Sequence, residues 1–148
     1  MVSELYDEDF VLWTEQQATL LRRRAAGELV NDAELDWQNI AEEIEAVGGN
    51  TRRELRNRMA RLLQHLLKWH YQPELRSRSW RSTIWTQRKE IEELLEDNPS
   101  LRARLPALFP PAYQRARFAA LDETGLLDLP EAPPFTVEQA LGDGLTEE

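Results

Sequence analysis

Glu42, Glu43, His65, Lys68, Gln72, Trp80, Arg81 and Arg88 are the residue types that handle charged ligands, and their spacing gathers them onto neighbouring helical segments. His65, Lys68 and Gln72 fall on one segment, and Trp80, Arg81 and Arg88 on the next. Guanidinium groups grip phosphate or carboxylate through paired N–H donors, so this set could bind an anion while Trp80 stacks beneath it. The same groups could instead form a satisfied polar seam that fixes the register of packed helices. The seam is the preferred reading, because the apolar stripe of the later segment breaks at Gln87-Arg88 and the helix that carries Glu42 and Glu43 is acidic. It expects Arg88 to hydrogen-bond a carboxylate, Glu43 above all.

Metal chemistry is a weaker reading of nearby residues. Asp36, Glu42, Glu43, Glu45, His65 and His70 supply carboxylate and imidazole, but helical metal sites pair a Glu with a His three residues later. No Glu precedes a His by three here, and two histidines five apart lie on different helix faces. Glu42-x-x-Glu45 and Glu93-x-x-Glu96 resemble the acidic pairs of magnesium-dependent nucleotide hydrolases, yet such pairs decorate any solvated helix. No metal and no cofactor is therefore expected. Gly-rich phosphate loops, a nucleophile elbow and a serine, histidine and acid pattern are not recognisable. With no cysteine, disulfides, thiolate catalysis, thiolate zinc sites and iron-sulfur clusters are excluded together.

Helices must position these residues, since Leu, Ala, Glu and Arg dominate while Val, Ile and Thr are sparse. A first helix is expected over 7–25, with Tyr6, Phe10, Trp13, Gln17 and Leu20 at spacings of three and four and Gly27 ending it. A second opens near Asn31, capped with Glu34 in reciprocal position, carries Trp37, Ile40, Ile44 and Val47 as its stripe, and stops at Gly48-Gly49. Thr51 with Glu54 caps a third, whose Leu55, Met59, Leu62, Leu66 and Trp69 series is the strongest periodic signal. Leu63, Leu67 and His70 add a second stripe, which makes this helix central. Gln72-Pro73 ends it. A fourth helix spans 79–97 with Trp80, Ile84, Ile91 and Leu95 inward. Asn98-Pro99 starts a short helix that Pro110-Pro111 breaks, and a further one runs from about 111 to 124 and closes at Gly125. Prolines from 130 to 134 enforce an extended wrap anchored by Leu129 and Phe135, and Thr136 with Gln139 caps a last turn or two. Of the five tryptophans, 13, 37, 69 and 80 fall on stripes, and Trp85 is the exception.

The fold class is thus all-α: a single-domain helical bundle of four long helices, short C-terminal helices and a Pro-rich extended wrap, over residues 1–141, with a disordered tail at 142–148. Charge is segregated along it. Residues 1–50 hold 3 Lys+Arg against 12 Asp+Glu, residues 51–90 hold 11 against 3, and residues 91–148 hold 4 against 12, for a formal total of −9. Antiparallel second and third helices would set Glu42 and Glu45 beside Arg52, Arg53 and Arg56, so the basic middle is expected to be neutralised and not to bind duplex nucleic acid. The start has neither basic n-region nor apolar h-region, and no apolar run approaches a membrane span, so a cytoplasmic protein without membrane contact is expected.

Three stretches carry a family resemblance: Leu35-Asp36 with 39–45, then 65–73 (His-Leu-Leu-Lys-Trp-His-Tyr-Gln-Pro), then Ser79-Trp80-Arg81 with Ile84 and Arg88. With Tyr6-Asp7-Glu8-Asp9-Phe10, Trp13, Pro99-Ser100-Leu101 and Glu123-Thr124-Gly125-Leu126, the chain resembles the bacterial domain-of-unknown-function family 29 over nearly its whole length. The resemblance implies a small bacterial helical protein and transfers no activity, cofactor or catalytic residue. The function expected from the residues is a small binding or protein-interaction module, with a protein partner or self-association to form a dimer. The alternative is a small enzyme with an anion- or metal-binding pocket around Glu43, His65 and Arg88.

Overall fold

The computed structural model describes residues 2–142 and 144–146 of the chain, and among these every regular element is helical. In order they are α1 (Val2–Glu8), α2 (Phe10–Ala25), α3 (Trp37–Tyr71), α4 (Arg78–Asp97), α5 (Leu105–Thr124) and α6 (Val137–Leu141), with 3-10 turns at Asp32–Glu34, Pro73–Leu75, Pro99–Arg104 and Gly144–Thr146. The chain forms two compact units, residues 1–50 and 51–148, and the boundary falls inside α3.

In the first unit the expected helix over 7–25 is two helices. Asp9 breaks it, because its side chain accepts from the Leu12 amide at 3.0 Å and so caps α2. Asn31 caps too, but it closes only the 3-10 turn Asp32–Glu34, and the α-helix begins six residues later at Trp37. Polar contacts hold α2 to the turn that precedes α3. Buried Gln17 donates to the Glu34 carbonyl (3.1 Å) and accepts from the Asp36 amide (2.9 Å), while Trp13 Nε1 donates to Asp36 (3.0 Å). Tyr6 and Phe10 pack edge-on and stacked against one another and Trp13.

The largest departure from expectation is at Gly48-Gly49. No break occurs there; the expected second and third helices are one continuous 35-residue helix. Glycine permits the left-handed conformation without demanding it, and here neither glycine has positive φ, unlike Gly27 and Gly125. Strong helix formers on both sides outweigh a cost of about 1 kcal/mol per glycine. Thr51 and Glu54 therefore sit inside a helix, and no hairpin separates Glu42 and Glu45 from the arginines that follow them in α3.

The second unit holds the apolar core. Leu55, Met59, Leu62, Leu63, Leu66, Leu67 and Trp69 of α3 are buried together with Ile84, Ile91 and Leu95 of α4, as the double stripe requires, although His70 is exposed. The helix α5 departs from expectation by running through Pro110-Pro111. Two intrahelical hydrogen bonds are lost, at about 3 kcal/mol for an interior proline, yet Leu105, Phe109, Ala112, Tyr113, Ala116 and Ala120 all remain buried on one face and offset that loss. Gly125, at φ 72°, ends the helix. The extended wrap lies on α5, with Leu129 and Phe135 buried. Tyr113, Gln114 and Arg117 donate to the carbonyls of Pro130 (2.5 Å), Glu131 (2.7 Å) and Leu129 (3.0 Å). Thr136 and Gln139 form the expected capping box on α6. Where a disordered tail was expected, residues 144–146 make a 3-10 turn with Leu145 against the core; residues 143, 147 and 148 lie outside the described residues.

Candidate functional site

The eight polar candidates are divided between the units, Glu42 and Glu43 in the first and the other six in the second. In the first unit Glu42 is exposed, and Glu43 accepts a short hydrogen bond from the Tyr6 hydroxyl. That bond, with burial and the nearby carboxylates, pushes the Tyr6 phenol up to about 12. Arg88, in the second unit, donates instead to the Ala140 carbonyl (2.9 Å) and to Thr146 Oγ1 (3.0 Å). Glu43 and Arg88 thus each hold partners within their own unit. The reason is length: a buried guanidinium at the break in the α4 stripe finds its acceptors in the returning C-terminal segment, some fifty residues on in sequence.

Within the second unit a polar seam runs through Lys68, with Glu123 on α5 and Trp80 on α4 as its partners. Lys68, 4% exposed, donates from Nζ to Glu123 Oε1 on α5 at 2.7 Å and lies 4.8 Å from the Trp80 ring centroid on α4. Gln64 donates to the other Glu123 oxygen at 2.7 Å. These bonds, the one from Lys68 foremost, hold the Glu123 carboxyl below its ordinary value. One turn earlier on α3, His65 donates from Nδ1 to the Arg61 carbonyl (3.0 Å), which places its proton on Nδ1. Burial, joined by the Lys68 and Arg61 charges, lowers the His65 pKa and outweighs that bond. Buried Gln87 accepts from Arg58 at 3.3 Å, and Arg58 also pairs with Glu54 and Glu90. Gln72 is half-buried at the end of α3, ahead of the Pro73–Leu75 turn.

Arg81 belongs to a different group. Its guanidinium stacks on Trp69, 5.3 Å from the ring centroid, and Arg76 stacks on the same ring at 4.8 Å while donating from Nε to the Trp69 carbonyl at 2.8 Å. Sequence reasoning chose Trp80 as the stacking ring and missed Trp69, Arg76 and Arg78. It missed Glu123 as well, since no local signal ties a residue on α5 to Lys68, 55 positions earlier. Among the described residues no group of three or more His, Cys, Asp or Glu is placed to hold a metal ion, and no helix is long and apolar enough to cross a membrane.

In the first unit α2 and α3 leave an open groove of about 240 Å³, lined by Trp13, Thr14, Gln17, Ala18, Leu21, Ile40, Glu43, Ile44 and Val47. Its wall is apolar and exposed: Ile44 is 69% and Val47 67% accessible. Trp37, expected to face inward on the same stripe, is half exposed under the Arg24 guanidinium at 5.6 Å.

Fold and polar contacts together define an all-helical protein whose buried charges mostly tie one helix to the next. The chain belongs to the family described as Domain of unknown function DUF29, whose model matches residues 5–145. No curated protein and no solved structure matches it.

Proposed function

We propose that the protein is a cytoplasmic interaction module that receives an amphipathic helix of a partner protein in the α2–α3 groove of its first unit. The observation that carries the reading is the exposure of Ile44 and Val47 beside that groove. Ile40, Ile44 and Val47 lie at i, i+4 and i+7, so they form one ridge, and Trp13, Ala18 and Leu21 face it from α2. Two parallel walls of apolar side chains with an open top suit a third helix laid between them. Water contact with so many large apolar groups is costly, and contiguous exposed patches of this kind mark association surfaces. The lining selects the partner: its one charged residue is the acidic Glu43, in a stretch of 3 basic against 12 acidic residues, so the incoming helix carries Lys or Arg on its flank.

A photo-crosslinking residue at Val47, with one at the fully exposed Leu127 as control, tests this in the native cells, followed by titration of the identified partner's helical segment. An adduct specific to Val47, lost in Ile44→Asp, and saturable binding of a basic-flanked helix at about micromolar Kd are expected. An adduct of twice the chain mass, matched by a dimer in sedimentation, overturns the partner in favour of self-association. Equal yields at Val47 and Leu127 overturn the groove itself.

A further inference from the structure

The second unit contains a pocket of about 430 Å³ that the polar seam does not use, lined by Trp69, Arg76, Ser77, Arg78 and Arg81. Three of its five lining residues are arginines and none is acidic. Among the described residues none of the three guanidiniums forms an ion pair, and the nearest carboxylate in sequence, exposed Glu74, is not part of the wall. The pocket opens at the start of α4. Ser77 caps that helix by accepting from the Trp80 amide at 3.2 Å, and its carbonyl takes the Arg81 amide at 3.1 Å. The Arg78 and Ser79 amides of the first turn remain available to an acceptor, at the end of the helix where the dipole favours negative charge.

Trp69 forms part of the pocket wall and is 2% exposed, so its ring is a fixed platform there. Stacking on that platform sets the guanidiniums. A guanidinium laid on an aromatic face keeps its in-plane N–H donors free, and Arg76 is further fixed by its bond to the Trp69 carbonyl. Three forks and two amides exceed what a carboxylate's two oxygens can accept, whereas a tetrahedral oxyanion offers acceptors in several directions.

We propose that this pocket binds the phosphate group of a small ligand, held by Arg76, Arg78 and Arg81 against Trp69. The site lies wholly in the second unit and stands independently of the groove on the first.

Titration of the full chain, 15N-labelled, with inorganic phosphate and separately with glycerol 3-phosphate tests it. The Trp69 indole resonance, assigned through Trp69→Phe, and the Arg78 and Ser79 amides report the site; sodium chloride at matched ionic strength and acetate are the controls. Saturable shifts of these three signals with phosphate are expected, weakened at least about tenfold in Arg78→Gln/Arg81→Gln. Tighter binding of glycerol 3-phosphate identifies a phosphomonoester as the ligand class, and equal binding identifies free phosphate. Shifts no larger than those with chloride in the native chain overturn the site whatever the variant does, and acetate binding as well as phosphate overturns the oxyanion class. The other indole signals, unchanged in the variant, verify that it is folded.

Discussion

Replacing Glu123 by Gln strikes the seam where it is most deeply buried. Lys68 is 4% exposed and its Nζ lies 2.7 Å from Glu123 Oε1, whereas the Glu123 side chain is 49% exposed. At an effective dielectric of about 20 the gross attraction at that distance is on the order of 6 kcal/mol, most of it offset by the desolvation of the ammonium. Removing one partner of a wholly buried pair costs about 3–5 kcal/mol. Here water reaches the Glu123 side, and Gln retains an acceptor, so Glu123→Gln should cost about 1–3 kcal/mol. Lys68→Met with Glu123→Gln should be milder than the two single changes added, because no buried charge is then left alone. Urea denaturation at pH 7, followed by helical circular dichroism, gives the three values. The pH dependence adds a second check. The Glu123 carboxyl is held down mainly by the Lys68 hydrogen bond, so its contribution is complete above its ordinary value of 4.5 and is lost as the pH falls through the lower folded value. The stability gap between the native chain and Glu123→Gln should therefore close only below pH 4.5. His65 acts in a higher window: burial lowers its pKa, so the folded state resists protonation, and stability present above 6.5 declines as the pH falls below that value. A Glu123→Gln variant within about 0.5 kcal/mol of the native chain at pH 7, or a gap unchanged at pH 3, would refute the assignment of the pair as the seam's anchor.

Continuity of α3 predicts that Gly48→Ala and Gly49→Ala each stabilise the protein by about 0.5–1 kcal/mol, as in any helix interior; loss of stability on thermal denaturation would mean that one of them adopts the left-handed conformation. Mixed-sequence duplex DNA should not be retarded by micromolar protein at about 50 mM salt, because the chain carries −9 overall and Lys68 and Arg58 are already paired; a salt-sensitive mobility shift would show that the remaining arginines act as an open basic face.

Legibility in the sequence followed the physics of each signal. The stripe from Leu55 to Trp69 was readable because burial repeats it over several turns, and Gly125 was readable because a helix end there needs positive φ. Gly48-Gly49 and Thr51-x-x-Glu54 misled, since a glycine pair and a capping pattern both occur inside helices when the flanking propensities prevail. Pro110-Pro111 misled for the opposite reason: a buried face across Phe109, Ala112 and Tyr113 overrode two missing donors. Trp37, Ile44 and Val47 show the limit of periodicity, which reports that a face is apolar and not that anything covers it. At the candidate sites the residue types were readable and the pairings were not. Lys68 with Glu123, and Arg88 with Ala140 and Thr146, join positions more than fifty residues apart, and only the folded backbone brings them within reach.

Because α3 crosses from residue 37 to residue 71 unbroken, the two compact units draw on a single nucleation event. Starting a helix is its costly step, and each added residue afterwards gains a hydrogen bond at small entropic loss. The stretch from Leu55 to Trp69 is pinned by the core, so extending that helix back through Asn50 to Trp37 costs less than nucleating a separate helix there would. Severing the chain at the boundary would orphan carbonyls on the first fragment, while Thr51 and Glu54 could cap the second. The first unit, poor in buried apolar residues of its own, thus shares a helix with the second, and the glycine pair is where that helix is intrinsically weakest.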